Sequence, residues 1–562
     1  MVVRYTAAMS LNEKIAKIFK GEVDGTDAVR EVYSRDASLF AVKPQLVVFP
    51  KDTYDIQELV RLVRSEKEID PTLSITPRAA GTDMSGGPLS SSIVLDVTRH
   101  MGAFLGIDGS VAAAEPGLHF RDFDKETKKV GYELPSYTAS RELCAIGGMV
   151  SNNSGGEKHL KYGKTDRYVQ ALDVVLDDGS LAHFTRVDGA ALEEKLSLQN
   201  REGEIYRGMA ELLRNNQDTI EKAKPKVRKN SSGYALWDIG SPQAGWMNLA
   251  RLFVGAQGTL GIFTKAWLSL VKPKKYGAMT IIFLDSFDDL GDVTQSVLAH
   301  DPDSFESYDD HTFSLAIRYF PELALQMKTG IFALGLSLIP EFFMVLTGGV
   351  PKLVLLAEFR AETQEEALTS AQVVAADIRE KHPNLSLRVA ENDAGMKKYW
   401  SIRRESFSLL RKKVRGKRTA PFIDDFVVPP PSLPEFLPKL NAILGTVDNM
   451  IYTVAGHIGD GNLHIIPLID PNRPDAVELV ERLSKEVYAL VLSYGGSISG
   501  EHNDGLVRTP YVEDMFGADM YRLFEETKRI YDPLNIFNPG KKVGTTFESS
   551  KGHLDVTAAR NI

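Results

Sequence analysis

Two histidines, His457 and His464, bracket a glycine-rich run in VAGHIGDGNLHIIPL (454–468), and a glutamate–histidine pair, Glu501–His502, follows in SGEH. Imidazole nitrogens and a carboxylate oxygen form a donor set for a divalent cation, which polarises a bound oxygen as a Lewis acid. The chain has only 11 histidines, and their grouping leaves three readings open: a metal centre, histidines satisfied inside a core, or a coincidence of loop chemistry. On a straight strand His457 and His464 would face opposite sides, because side chains alternate with period two. Asp460-Gly461-Asn462 is a strong turn signal, and a turn there brings both imidazoles to one face. Glu501 would then complete a His₂Glu set with a position left open for substrate or water.

PRAAGTDMSGG (77–87) and IGGMVSNNSGG (146–156) also have chemical content. Glycine lets main-chain N–H groups approach a ligand closely, and successive N–H groups aimed into one concavity make a nest for a pyrophosphate. One such loop would read as a tight turn; two shift the reading toward a nucleotide. Other nucleotide signatures fail. No G-x-G-x-x-G opens a helix after a strand, and KYGKTD follows Lys158 where a P-loop needs glycine.

The two loops, together with GAQGTLGIFTKAWLSL (255–270) and NPGKK (538–542), resemble the FAD-binding domain of the vanillyl-alcohol oxidase/para-cresol methylhydroxylase (PCMH) flavoprotein superfamily. HIGDGNLH and SGEH are similar to the FAD-linked D-2-hydroxyacid dehydrogenases, a branch with D-lactate and D-2-hydroxyglutarate dehydrogenases and the flavin subunit of glycolate oxidase. The resemblance spans roughly residues 40–545. It implies that Pro77, Arg78, Ala79, Ala80, Gly81, Thr82, Asp83, Ser85 and Gly86 wrap the FAD pyrophosphate. Gly147, Gly148, Asn152, Ser154 and Gly155 would line the flavin, Gly261 and Ile262 would pack near the adenine half, and Lys541 would return to the flavin region. The first loop has neither histidine nor cysteine, so noncovalent FAD is expected, with Cys144 the one residue placed to spoil that.

The resemblance also gives His457, His464 and Glu501 as ligands of one divalent metal and His502 as the general base that takes the substrate's hydroxyl proton. Zinc suits such a set, although manganese and iron accept the same ligands. YWSIRRES matches a Trp-x-x-Arg element, which puts Arg403 on the substrate carboxylate. Three departures stand out: Arg404 where glutamate is usual, Ile466 where many hydroxyglutarate-specific relatives have asparagine, and Asn503 where glycine is common. Arg404 would either favour a dicarboxylate or pair with a surface acid, and Ile466 weakens the dicarboxylate reading. Asn503 is tolerable if its φ is positive.

Positioning these groups requires an α+β chain. Pattern and resemblance together imply an N-terminal helical segment (1–39), a two-subdomain FAD-binding domain of PCMH type (40–272) and an antiparallel-sheet, ferredoxin-like substrate and metal cap (273–510), the domain types being what the resemblance implies. A C-terminal helix returning to the FAD domain (511–545) and a tail (546–562) complete it. Within the first domain, DTYDIQELVRLVRSEK predicts a helix capped by Asp52 or Thr53, and YVQALDVVLDDGSLAHFT a hairpin turning at Asp178–Gly179. In the cap, GAMTIIFLDSF and KLVLLAEF read as strands, with helices on one face of the sheet.

A formal net charge of −9 offers no general attraction to nucleic acid. The single cysteine precludes an internal disulfide, Cys-ligated zinc or an iron–sulfur cluster carried by these residues alone. Electrons would therefore pass to a separate iron–sulfur protein, a quinone or a soluble carrier. No secretory signal is legible at the N-terminus, which favours the cytoplasm, or the inner face of a membrane reached through the apolar stretch 330–359 acting as a docking helix. The alternative for that stretch is a buried helix followed by a strand. RRESFSLLRKKVRGKR (403–418) reads mostly as a solvated basic face. A homo-oligomer stays open. Rival functions are an oxygen-reducing FAD oxidase, a non-catalytic flavin subunit of a larger electron-transfer complex, and a metal-only lyase.

Overall fold

The computed structural model describes residues 9–318, 349–413, 418–448, 450–470 and 473–555. Three sheets set the site. In the first, Leu46–Phe49 and Ile75–Arg78 flank Ile93–Asp96 in parallel, and Glu22–Asp24 adds an antiparallel edge. The crossover between the first two is the helix Thr53–Glu66, whose N-cap is Asp52: its carboxylate accepts from Asp55 N, satisfying an orphan first-turn donor. Ile56, Leu59, Val60 and Val63 form the helix's buried stripe, each worth roughly 1.5–3 kcal/mol of apolar burial. The strand Ile75–Arg78 then delivers the first glycine loop at its C-terminal end.

The second sheet is antiparallel and has seven described strands. Its hairpin Val169–Val175/Leu181–Asp188 turns through Gly179 at φ +77°. The segment before residue 40 is not purely helical, since Glu22–Asp24 pairs with Leu46–Phe49. Its three residues are too short a run to announce a strand by alternation. The last ten described residues are also packed. Phe40 bridges to Leu554, Ala41 N donates to His553 O at 2.8 Å, and Arg35 Nε reaches Asp555 Oδ2 at 2.9 Å.

The third sheet builds the cap, with described strands in the order Ser386–Ala390, Tyr276–Leu284, Leu353–Ala361, Ser304–Asp309, Val454–His457, Asn462–Ile465 and Phe426–Val427, all antiparallel. Helices cover both faces rather than the one expected. Along Tyr276–Leu284, Ala278, Ile282 and Leu284 enter one core with the helices Leu290–Leu298 and Gln364–Lys381, while Met279, Ile281 and Phe283 enter a second with Tyr399 and Trp400 of the helix Asp393–Lys413. The reason lies in the composition. IIFL (281–284) and LVLLA (353–357) are apolar at consecutive positions, the mark of a strand buried on both sides.

KLVLLAEF is strand, as expected, but the helix read into the apolar stretch before it lies outside the described residues, as does part of the basic run after Arg404. Among the described residues no helix is long and apolar enough to cross a membrane.

The hairpin Val454–His457/Asn462–Ile465 closes through a short 3₁₀ turn and Gly461 at φ +70°. A Cβ on Gly461 would collide with the Val428 carbonyl oxygen. Gly461→Ala should therefore cost more than the ~1 kcal/mol of a left-handed alanine, lowering Tm by several degrees, as thermal unfolding would read.

Candidate active site

The register of that hairpin decides where the imidazoles point. Ala455 pairs with His464, and His457 with Asn462. His457 shares a face with Ala455, two residues away, and so with His464 across the ladder; their rings lie 5.2 Å apart. Each ring is oriented from behind. His457 Nδ1 sits 2.5 Å from Glu306 Oε1, and His464 Nδ1 3.2 Å from Asp424 Oδ1. Carboxylates at Nδ1 fix the tautomer and turn Nε2 outward, the usual arrangement behind a metal-binding histidine.

Both Nε2 atoms face one oxygen. Glu501 Oε1 is 3.3 Å from His457 Nε2 and 3.4 Å from His464 Nε2. Two donors each 2.0–2.1 Å from a tetrahedral ion are about 3.3–3.4 Å apart, the separation Glu501 Oε1 keeps from each imidazole, so the trio suits a divalent cation in donor type and in these two spacings. His502 Nε2, at 4.0 Å from the same oxygen, stands further out, its ring stacked 5.2 Å from that of His464. Asp425, His464, Glu501 and His502 also group, with donor atoms within 4.8 Å, but Asp425 is already spent. Its oxygens accept from Glu501 N at 2.9 Å, His502 N at 2.7 Å, Ser499 Oγ at 2.9 Å and Asn462 Nδ2 at 3.1 Å.

Charge is dense here. Burial alone would raise the Glu501 carboxyl, but Lys229 and His457 hold it well below its usual range. Burial alone would lower the His464 imidazole, yet the Asp424 and Glu501 carboxylates push it up to about 10. For His502, Asp425 and Asp424 likewise outweigh burial and raise it.

The glycine loops meet this centre. Asp83 closes the first loop by accepting from Ser85 N at 3.0 Å and Gly87 N at 2.8 Å, and takes Asn152 Nδ2 of the second loop at 2.5 Å. Between the loops opens a cleft of about 1260 Å³, its mouth included. Pro77, Arg78, Ala79, Ala80, Gly81, Thr82, Asp83, Gly147, Gly148, Asn152, Ser154, Gly155, Gly261 and Ile262 line it, and so do Glu501 and His502. Ser85, Gly86 and Lys541 are not among the lining residues. Ser85 is fully buried, Gly86 faces Leu506, and Lys541 Nζ donates to Leu89 O at 2.8 Å. Arg78 lines the cleft but turns its guanidinium to the carbonyls of Tyr33 and Arg35, at 3.3 and 2.8 Å. Cys144 also lines it; burial pushes its thiol up, which keeps it protonated and a poor nucleophile.

Arg403 is tied to the site through Glu306, with Nη2 at 3.3 Å from the carboxylate that also holds His457. Arg404 points elsewhere and pairs with Glu157 through two hydrogen bonds of 3.1 and 2.5 Å. Asn503 has φ +70°, where asparagine replaces glycine at little cost. Sequence reasoning missed Asp424, Asp425, Glu306, Lys229 and Gln257. The one available signal was the Asp-Asp step in FIDDFVV, a charged pair inside an otherwise apolar run.

A model of the FAD binding domain matches residues 44–185, and one of the FAD linked oxidase C-terminal domain matches residues 274–542, so the cleft and the histidine hairpin fall in the two parts of one recognised pair. The chain belongs to the FAD linked oxidases. It is 30% identical over 545 residues to a D-2-hydroxyglutarate dehydrogenase of Pseudomonas putida, covering 95% of this chain and 51% of that one. To the glycolate oxidase subunit GlcD of Bacillus subtilis it is 28% identical over 528 residues, covering 92% and 93%. The chain thus spans about half the length of the D-2-hydroxyglutarate dehydrogenases it matches. A 4-ethylphenol oxidase from Gulosibacter chungangensis superposes with a TM-score of 0.65 at 15% identity, covering 93% of this chain and 94% of that one, and shows the shared fold.

A Cβ on Gly148 would meet only Ala79, at 3.9 Å, on a residue that lines the cleft. Gly148→Leu should leave Tm within a few degrees while removing the flavin's visible absorbance from the purified protein.

Proposed function

We propose that the chain is an FAD- and divalent-metal-dependent dehydrogenase that oxidises a D-2-hydroxy acid to the 2-oxo acid and delivers the electrons to a separate acceptor. One observation carries the reading: Glu501 and His502 line the cleft between the glycine loops, while Glu501 also faces His457 and His464. A flavin niche and a His₂Glu set thus share a dipeptide.

FAD, when bound, accepts two electrons, and a divalent ion on His457, His464 and Glu501 supplies Lewis acidity toward the substrate's oxygens. The protein's own groups do the rest. Arg403, whose Nη2 lies 3.3 Å from Glu306 Oε2 and which is not among the residues lining the cleft, is the cation we assign to the substrate carboxylate, with a planar fork of donors. His502 accepts the hydroxyl proton at Nε2, on the side of the ring turned toward Glu501. As that proton leaves, the α-hydrogen departs with its electron pair and the carbinol carbon becomes the 2-oxo carbon. Glu501, His457 and His464 keep the hydroxyl oriented. Asp425 holds the His502 backbone so that the imidazole stays at the cleft wall. Zinc suits the ligand set.

Two features support a substrate with a single carboxylate. Arg404, the second arginine, is committed to Glu157, and Ile466 is a buried apolar side chain where asparagine accompanies hydroxyglutarate in similar sequences.

Anaerobic mixing with substrate should bleach the flavin with D-lactate and not with L-lactate, more slowly with D-2-hydroxyglutarate, and not at all after chelation. His502→Ala should slow bleaching by about 10²–10⁴ with flavin content unchanged; a bleaching rate near that of the wild type would sink the assignment. Hydrogen peroxide released in air would favour the oxidase instead.

The base must start neutral, so the rate should rise with pH as His502 loses its proton. Asp424 holds that imidazole's pKa up. Asp424→Asn at saturating zinc should therefore move the acid limb of the pH–rate profile to lower pH.

A further inference from the structure

Lys229 is fully buried, and its Nζ bonds two side chains of the cap. Its Nζ donates to Glu501 Oε2 at 2.7 Å and to Asn462 Oδ1 at 2.9 Å. The lysine comes from the flavin half of the chain, in the segment 229–233, and that segment is fastened along the Glu501 loop: Ser231 N donates to Ser499 O at 2.9 Å and Gly233 N to Asp504 Oδ2 at 2.9 Å. The backbone of the lysine is thereby held beside the Glu501 loop, and burial with two Nζ hydrogen bonds keeps the ammonium on the carboxylate.

The two oxygens of Glu501 are divided. Oε1 faces His457 and His464, and Oε2 is occupied by Lys229. We propose that Lys229 is a positioning residue that confines Glu501 to one-oxygen ligation, so that the metal keeps a position free for the 2-hydroxy acid. This rests on the metal-dependent reading above and adds a role to it. A glutamate free to offer both oxygens would fill one more position around the ion. Lys229 also shares the carboxylate's charge with the ion, which limits how tightly the ion is held.

The role makes a prediction opposite to that of a merely structural lysine. Loss of a packing residue would loosen the site and weaken metal binding. Lys229→Met should instead bind zinc more tightly than wild type, against the roughly 10–100-fold weakening that loss of an outer-shell partner usually brings, while substrate bleaching of the flavin slows and KM rises.

The test uses the flavin-loaded full chain, with zinc affinity measured by competition against a chromogenic chelator. X-ray absorption at the zinc edge then reads the first shell. Wild type should show one carboxylate oxygen, Lys229→Met two, and Lys229→Arg, which keeps a cation on Oε2, the wild-type shell. Visible flavin absorbance and Tm check folding, and if Lys229→Met fails to fold, the wild-type spectrum alone decides. A wild type with both Glu501 oxygens on zinc overturns the proposal, as does a Lys229→Met protein that binds zinc more weakly with an unchanged shell. A wild type that binds none of zinc, manganese and iron overturns the metal reading itself.

Discussion

Everything at the site depends on how Asp425 holds the turn that carries Glu501 and His502. One buried carboxylate accepts from both of their backbone N–H groups, and its own carbonyl takes the Gly500 N–H at 2.7 Å. A carboxylate gripping successive amides is a charge-assisted contact, stronger than its neutral equivalent. It fixes the backbone rather than the side chains, leaving the ligand and the base to find their own partners. The cost shows in the conformation: Asp425 itself adopts φ +66°, which a non-glycine residue keeps only when the surroundings enforce it. Gly500 has to be glycine, since a Cβ would press on Asn462 and on Asp425.

The same turn is where the two halves of the chain join. Asn503 donates to the carbonyls of Asn152 and Gly255 at 3.1 and 2.9 Å, and Gly505 N donates to Gln257 Oε1 at 2.8 Å. Gln257 in turn touches Ser85 and Asn152. The second glycine loop, the first loop and the Glu501 turn are thus one hydrogen-bonded unit. Buried polar networks of this kind specify geometry when every member is partnered. That requirement explains Ser85, which closes its own loop and lies behind the cleft instead of facing it.

Much of this was legible in the chain. The glycine loops, the Asp-Gly-Asn turn and the Glu-His pair are local patterns, and local chemistry governs them: positive φ, strand alternation, donor type. Asn503 illustrates it, a departure from glycine that its backbone conformation accommodates. The carboxylates behind the imidazoles were not legible, because Glu306 and Asp424 reach His457 and His464 only through strand pairing across long separations. Arg404 was ambiguous for the same reason, until Glu157 stood opposite it. The double-sided cap was readable in hindsight from the unbroken apolar runs IIFL and LVLLA, which an expectation of helices on one face overlooked.

The pairing of Phe40 with Leu554, beside Ala41 and His553, ties together segments from opposite ends of the sequence. Both sit against the cap's core, where Leu39, Phe40 and Val42 are buried and Phe547 and Leu554 pack. Removing residues 547–555 would therefore take Phe547 and Leu554 off the cap's core. Trimming that stretch as dispensable, or burying it beneath a fused partner, would unsettle the lobe that carries the histidines.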